Sequence, residues 1–214
     1  MKRATRLVFL SLLGATLLLA AEAIRERFTP PHDLRDFDAA AVGKLDTEMW
    51  RSYYERRQVL LLRQLLTLLS RQFGMPPLEA VRNAYRAAHA AFVFKDGKSR
   101  VDYERALPDL QAYYADVSAR ATRPFDANRA ASLELEWWIQ HRERSPQLAR
   151  GLAELQAALY AVPPEKFEEH ARLRADAMAL RDDRGTAVTE QDWNKIGEML
   201  NESWRSLHAA VHNK

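Results

Sequence analysis

Apolar residues recur at helical spacing along most of the chain, and this pattern is clearest near the C-terminus. Large apolar side chains there stand three or four positions apart, at Trp193, Ile196, Leu200, Trp204, Leu207 and Val211. Such a period is typical of an amphipathic α-helix that packs one stripe against a core. Thr189 and Asp192 precede the stripe with the spacing of a helix capping box. The pattern therefore predicts a final helix over residues 190–212.

Prolines and capping residues divide the rest of the chain into further helices. Ser99 with Asp102, and Asp126, are predicted N-caps, and Gly74 is a predicted C-terminal cap. Pro108 is expected to kink or break the third helix. The predicted helices span residues 39–73, 78–94, 100–121, 127–144, 146–161, 163–182 and 190–212. The expected fold is therefore all-α, an irregular bundle of six or seven helices after an N-terminal hydrophobic membrane segment.

A solenoid of helix pairs, as in tetratricopeptide repeat proteins, is the alternative architecture, because helices of this length would suit one. Such repeats carry a Trp-Leu-Gly-Tyr pattern about every 34 residues. The chain shows no pattern of this kind. The bundle is therefore the preferred prediction.

The first predicted helix contains a very apolar stretch, VLLLRQLLTLLSRQF, at residues 59–73. A helix that is apolar on nearly all sides is usually enclosed by others, so we expect this one at the centre of the bundle. A position on a membrane surface is the alternative. The polar pairs Arg63-Gln64 and Arg71-Gln72 interrupt the stretch and weaken that alternative.

The first 23 residues have the pattern of a targeting segment. Lys2, Arg3 and Arg6 precede fifteen uncharged, largely apolar residues, 7–21. That length suits a signal peptide, with cleavage after Ala23, and is slightly short for a spanning helix. A signal anchor and a cleaved signal peptide both remain open for residues 1–23. The preceding positive charges predict a domain on the non-cytoplasmic side, either single-pass in the cell membrane or exported.

The segment TPPHDLRDF, at residues 29–37, is rich in proline and polar residues. It predicts an extended tether over residues 24–38, followed by a helical-bundle domain over residues 39–214.

Charge and cysteine content exclude several classes of protein. The sequence pI is near 9.2, yet residues 24–214 hold 29 basic and 28 acidic residues. No basic stripe interleaved with aromatics is present, so nucleic-acid binding is not expected. No GxGxxG or Walker A loop occurs, which argues against a nucleotide ligand. The absence of cysteine excludes disulfides, thiolate metal sites and a cysteine nucleophile.

Candidate chemistry is densest in LELEWWIQHRE, at residues 133–143. On a helix, Glu134 and His141 share a face with Trp137 and Trp138. An acid and an imidazole in such an apolar setting would have shifted pKa values, as groups at functional sites often do. The alternative is a packed tryptophan pair whose polar neighbours bond locally.

Three residues of other predicted helices extend this set. Glu48 and Glu55 share a stripe of the long helix, and His89 lies on the side of its helix that carries Leu78, Val81, Tyr85, Ala88 and Phe92. Together with Glu134 and His141 they form a candidate metal site, since carboxylates and imidazoles hold metals inside ferritin-like bundles. That class needs inward Glu-x-x-His motifs, and this chain contains none.

Two further segments are candidates of lesser weight. His208 and His212 have the i, i+4 spacing of a zinc-binding pair, without an evident third ligand. The segment EMWRSYYERR, at residues 48–57, combines aromatic and charged residues that suit a ligand-binding groove or a packed core. The cofactor, if there is one, stays undetermined.

These observations favour a non-enzymatic binding or scaffold protein of the cell envelope, held by its N-terminal segment and contacting a partner protein. Its tryptophan and tyrosine content suits an interface, where these residues concentrate binding energy. The alternative is a carboxylate/histidine metal-binding protein or an oxidoreductase, with its site between helices formed by Glu48, Glu55, His89, Glu134 and His141.

Overall fold

The computed structural model describes Ala21, Arg25 and residues 28–213. Over these residues the protein is all-α, as predicted, with eight helices of 13 to 23 residues and a short one. In chain order they are α1 (Ala39–Tyr54), α2 (Gln58–Phe73), α3 (Pro77–Asp96), α4 (Arg100–Glu104), α5 (Leu107–Arg120), α6 (Ala127–Arg142), α7 (Leu148–Tyr160), α8 (Glu168–Arg184) and α9 (Glu190–His212). Short 3₁₀ turns, Pro164–Phe167 and Gly185–Ala187, flank α8.

The eight longer helices form a closed ring. Each packs against the next along the chain, with α4 beside α3 and α6, and α9 returns to pack extensively against α1. In a solenoid each repeat contacts only its neighbours in sequence. The contact between the first and last helices therefore shows that the solenoid alternative is wrong.

Capping residues set several helix ends as the sequence predicts. Thr189 and Asp192 form the reciprocal capping box of α9, Asp126 caps α6, and the Ser99 hydroxyl accepts the Asp102 N–H at the start of α4. Gly74 ends α2 with a φ of 62°, the left-handed conformation that glycine adopts without strain.

Two predicted helices are each divided in two. The predicted helix 39–73 breaks at residues 55–57, where Arg56 has a φ of 58° and the Arg57 N–H bonds the Ser52 carbonyl. The predicted helix 100–121 breaks before Leu107, and Pro108 lies in the first turn of α5, where its missing N–H costs nothing. The break at Pro108 was predicted, whereas nothing in the residues at 55–57 marks one.

The prediction that α2 is central is wrong. This helix packs chiefly against α1 and α3, its two neighbours in the ring, and in the described part of the chain it is not enclosed by others. Its buried positions include Gln64 and Gln72, whereas Val59 and Leu62 are 70% and 50% exposed. The two glutamines that interrupt the apolar stretch thus face the protein, whereas Arg63 and Arg71 and the apolar residues at the start of the helix face outward.

The apolar stripe of α3 also faces away from the core. Val81, Tyr85 and Phe92 are more than half exposed, while the buried positions are small or polar, at Glu79, Ala80, Asn83, Ala84 and Ala90. Alanines allow neighbouring helices to approach closely, and Asn83 satisfies its amide by donating to the Glu79 carbonyl and to Asp116. His89 is likewise exposed on this outer side.

The described part of the predicted tether packs on the bundle. His32 pairs in parallel with Ala121 through backbone hydrogen bonds to Arg120 and Thr122. Leu34 and Phe37 are 5% and 7% exposed and belong to the core. The Asp36 N–H donates to the Asp33 carbonyl, so the segment turns at residues 34 and 35 and packs as part of the folded domain.

The predicted membrane segment, residues 1–23, lies outside the described residues except for Ala21. None of the helices in the described part of the chain combines the length and the apolar character needed to cross a membrane.

Candidate functional site

A cleft of about 510 Å³ opens at one end of the helical ring. Its walls come from α1 from Asp46 onward, the first turn of α2, the ends of α3 and α6, and α8 between Arg174 and Asp182. We call it the aromatic cleft, after the six aromatic residues in its wall, Trp50, Tyr53, Tyr54, Phe94, Trp137 and Trp138. The volume lies within the range typical of ligand sites, which is roughly 300–1,000 Å³.

The break after α1 shapes the cleft. Because the chain turns at residues 55–57, Tyr53 and Tyr54 stand at a helix end beside Leu61 of α2. The segments EMWRSYYERR and LELEWWIQHRE, which are far apart in sequence, therefore supply the same wall.

A buried ion pair forms part of this wall. Arg174 of α8 donates to Asp46 of α1 at 2.5 Å, and the indole N–H of Trp204 donates to the same carboxylate oxygen at 2.8 Å. The guanidinium also lies 5.8 Å from the ring centres of Trp50 and Trp204. The Asp46 carboxylate thus accepts two hydrogen bonds, and these bonds join α1 to α8 and to α9.

Glu134 supports the tryptophan pair from behind. Its carboxylate accepts hydrogen bonds from the Tyr114 hydroxyl at 2.8 Å and from the Trp138 indole at 2.9 Å. The Trp137 N–H also favours the ionised carboxylate, but it makes no hydrogen bond of normal geometry. Loss of hydration outweighs these donors and raises the pKa of Glu134. The group acts as a fixed acceptor that sets the orientation of Trp138.

His141 and Arg142 are held at the rim of the cleft. His141 Nε2 lies 3.0 Å from an Asp182 oxygen, and both side chains are about one-third exposed. Arg142 donates to the carbonyls of Phe94, Lys95 and Gly97 at the C-terminus of α3. Its guanidinium also lies 4.2 Å from the centre of the Phe94 ring. Arg142 is therefore a fixed part of the wall.

Tyr54 lies under a second arginine. The Arg181 guanidinium is 3.7 Å from the centre of the Tyr54 ring, in a cation–π contact. Loss of hydration, with a smaller contribution from Asp182, raises the pKa of Tyr54 to about 12. The phenol therefore stays neutral at physiological pH and contributes a polar tip on an apolar ring.

The cleft has a positive bias. Its lining holds four cationic residues, Lys95, Arg142, Arg144 and Arg174, and two acidic residues, Asp46 and Asp182. Asp46 is neutralised by Arg174, whereas Lys95 is exposed and Arg144 lies 3.6 Å from Asp183. An apolar or aromatic group that carries a carboxylate would match both the rings and this charge.

The five residues of the predicted metal site are not brought together. Glu48 is exposed, Glu55 pairs with Arg51 and Arg57, and His89 pairs with Asp109 at 2.6 Å. Glu134 and His141 have the separate partners described above. Over the described residues, no three His, Asp or Glu side chains lie close enough to hold a metal ion.

His208 and His212 stack with their ring centres 4.1 Å apart. His212 Nδ1 bonds the His208 carbonyl at 2.8 Å. Partial burial, followed by the proximity of His212, lowers the pKa of His208. The pair thus has the local geometry of a helix end, and no third ligand joins it in the described part of the chain.

Several cleft residues were not predicted, among them Asp46, Phe94, Arg144, Arg174 and Asp182. Asp46 stands one helical turn before Trp50, a spacing that places both on one face. No comparable signal marks Arg174, which lies 128 residues from Asp46. These residues meet only because the ring closes.

No family model, curated protein or solved structure matches the chain.

Proposed function

We propose that this chain is a non-enzymatic binding protein of the cell envelope, anchored in the membrane or exported through residues 1–23. Its aromatic cleft takes a segment of a partner protein in which an apolar or aromatic side chain stands beside a carboxylate. The observation that carries the proposal is the convergence of six aromatic residues and a net positive lining in one cleft of about 510 Å³.

The composition of the cleft supports binding to a protein. Tryptophan, tyrosine and arginine dominate the energetic centres of protein interfaces, in part because rigid rings bury area at small entropic cost. Glu134 fixes Trp138 through a hydrogen bond to its indole N–H, and backbone carbonyl oxygens fix Arg142. Such a preformed wall loses little conformational freedom when a ligand binds.

The proposal is tested by photo-crosslinking in the native membrane fraction. Benzoylphenylalanine replaces Tyr53, which is 55% exposed in the cleft wall, or Glu198, which is exposed on α9. We expect a discrete adduct from position 53 and none from position 198. Mass spectrometry of the adduct should place the crosslink in a partner segment that carries an acidic residue next to an apolar one.

A second crosslinking experiment reverses two charges at the rim of the cleft. Lys95→Glu with Arg144→Glu should reduce the adduct roughly tenfold, since two charge contacts of the partner become repulsive. Lys166→Glu with Lys195→Glu, at exposed positions outside the cleft, is the matched control. Equal adducts from positions 53 and 198, or an adduct insensitive to the rim reversal, would refute the proposal.

A further inference from the structure

The α2–α3 hairpin exposes large apolar side chains on an outer edge of the ring. Val59, Leu60 and Leu62 of α2, and Val81, Tyr85 and Phe92 of α3, are between 41% and 70% exposed. On soluble proteins, exposed apolar side chains are usually scattered singly over the surface. Their concentration on two adjacent helices indicates an interaction surface. The two helices are about 24 and 30 Å long, so this surface is extended.

The same hairpin is strongly basic. Residues 58–96, from the start of α2 to the end of α3, contain five basic and two acidic residues, while the remainder of residues 24–214 contains 24 basic and 26 acidic ones. Helix α2 has no acidic residue, and Glu79 of α3 is buried against Arg120. Arg63 and Arg71 are exposed and pair with no acid in the described part of the chain. Arg82 and Arg86 pair with Asp116 of α5, so Arg63 and Arg71 are the positive charges that α2 places beside its exposed apolar side chains.

The chain enters the bundle at the loop end of this hairpin. Arg120 bonds both Glu79, in the first turn of α3, and the carbonyl of Thr29, and His32 lies against Gly74 between α2 and α3. Five residues, 24–28, separate Thr29 from the end of the predicted membrane segment at Ala23, and the chain from 23 to 29 spans at most about 20 Å. This end of the hairpin is therefore held close to any bilayer that contains the segment.

From these three observations we infer that the α2–α3 hairpin lies on the membrane surface and binds a bilayer containing anionic phospholipids. Aromatic and aliphatic side chains enter the boundary between headgroups and acyl chains, while arginines contact lipid phosphates. Gln64 and Gln72, two of the polar residues that weaken a membrane-surface position in the sequence, face the protein. The inference rests on the membrane location in the proposed function.

The absence of cysteine permits a direct test on the full chain in vesicles. Leu62→Cys and Phe92→Cys report on the hairpin, and Lys195→Cys, exposed on α9, is the control. Each carries an environment-sensitive fluorophore. In vesicles of phosphatidylcholine with phosphatidylglycerol, a nitroxide on the lipid should quench positions 62 and 92, and iodide in water should quench position 195.

Charge variants test the role of anionic lipid. Arg63→Gln with Arg71→Gln should lower the ratio of docked to undocked hairpin roughly 30-fold, since each basic residue near an anionic surface contributes about 1 kcal/mol. Arg129→Gln with Lys166→Gln, at exposed positions on other elements, should leave the ratio unchanged. Vesicles of phosphatidylcholine alone should also favour the undocked state.

The outcomes separate the two proposals. If the chain floats with vesicles but positions 62 and 92 are quenched only by iodide, the hairpin inference is overturned and the membrane location stands. If neither quencher reaches them, a protein surface or a second copy covers the hairpin, which also overturns it. A chain that does not float overturns both the hairpin inference and the anchored form, while crosslinking at Tyr53 still tests the cleft separately.

Discussion

The imidazole of His170 is buried between α8 and α9, with 1% of the residue exposed. His170 Nδ1 lies 3.0 Å from the Ser203 carbonyl oxygen, which can only accept, so Nδ1 carries the proton and donates to it. The Ser203 hydroxyl, 2.8 Å from Nδ1, donates to the His170 carbonyl at 3.0 Å. Nε2 has no hydrogen-bond partner among the described residues. A second proton would therefore sit at a buried position without an acceptor. Burial, followed by the charge of Arg174, lowers the pKa of His170 to about 3.

We expect His170 to make the fold sensitive to acid. Between about pH 6 and pH 4 the unfolded chain binds a proton that the folded chain does not, so the free energy of unfolding decreases as pH falls. The slope from this residue is at most about 1.4 kcal/mol per pH unit. Urea unfolding of the wild type and His170→Gln at pH 6, 5 and 4 measures it. The variant should be less stable at pH 6 but show a flatter slope, and equal slopes would contradict this account.

At the scale of helices, local sequence predicts ends better than faces. The caps at Thr189, Asp126 and Gly74 bond to groups within about one helical turn, so these helix ends can be inferred from neighbouring residues alone. The break at residues 55–57 depends on Arg56 in a left-handed conformation, which no glycine or asparagine signals. The apolar stripe of α3 marks a face correctly, but which face is buried depends on packing against α2 and α5.

Close helix contacts give a matched test of packing. A Cβ added at Gly43 of α1 would lie 2.9 Å from the Asn201 Cα of α9. Because backbone atoms cannot yield without separating the helices, we expect Gly43→Ala to lower the free energy of unfolding by about 1–3 kcal/mol. At Gly151 of α7 the added Cβ meets the flexible end of Gln140. The gain in helix propensity, up to about 1 kcal/mol, should then leave Gly151→Ala near neutral.

Denaturant unfolding of the two glycine variants distinguishes these cases. Equal losses at both positions would mean that the α1–α9 contact is no tighter than the α6–α7 contact. A stabilised Gly43→Ala variant would show that the two helices can separate without cost.

At the scale of the whole molecule, the cleft could be predicted only in part. Both aromatic segments stand out in the sequence, and Glu134 and His141 do lie beside the tryptophans of α6. Trp50 and Tyr54 line the same cleft as these tryptophans because α1 and α9 close the ring. This is a contact between the two ends of the domain. The predicted set with Glu48, Glu55 and His89 shared helix stripes, but its members point to different neighbours.

The same closure makes the segment before α1 structural. Phe37 packs edge-on against Trp204 and His208 of α9, with ring centres 5.8 and 5.2 Å away. We expect Phe37→Ala in the full chain to lower the free energy of unfolding by about 3–5 kcal/mol, the usual cost of deleting a buried phenylalanine. Phe28, which is 78% exposed, provides the matched control, and Phe28→Ala should change it by less than about 0.5 kcal/mol. Urea unfolding followed by tryptophan fluorescence measures both. Equal stability of the two variants would mean that residues 29–37 are a free tether, and the domain could then move away from the bilayer. A large loss at Phe37 alone would leave only the five residues 24–28 between the fold and the predicted membrane segment.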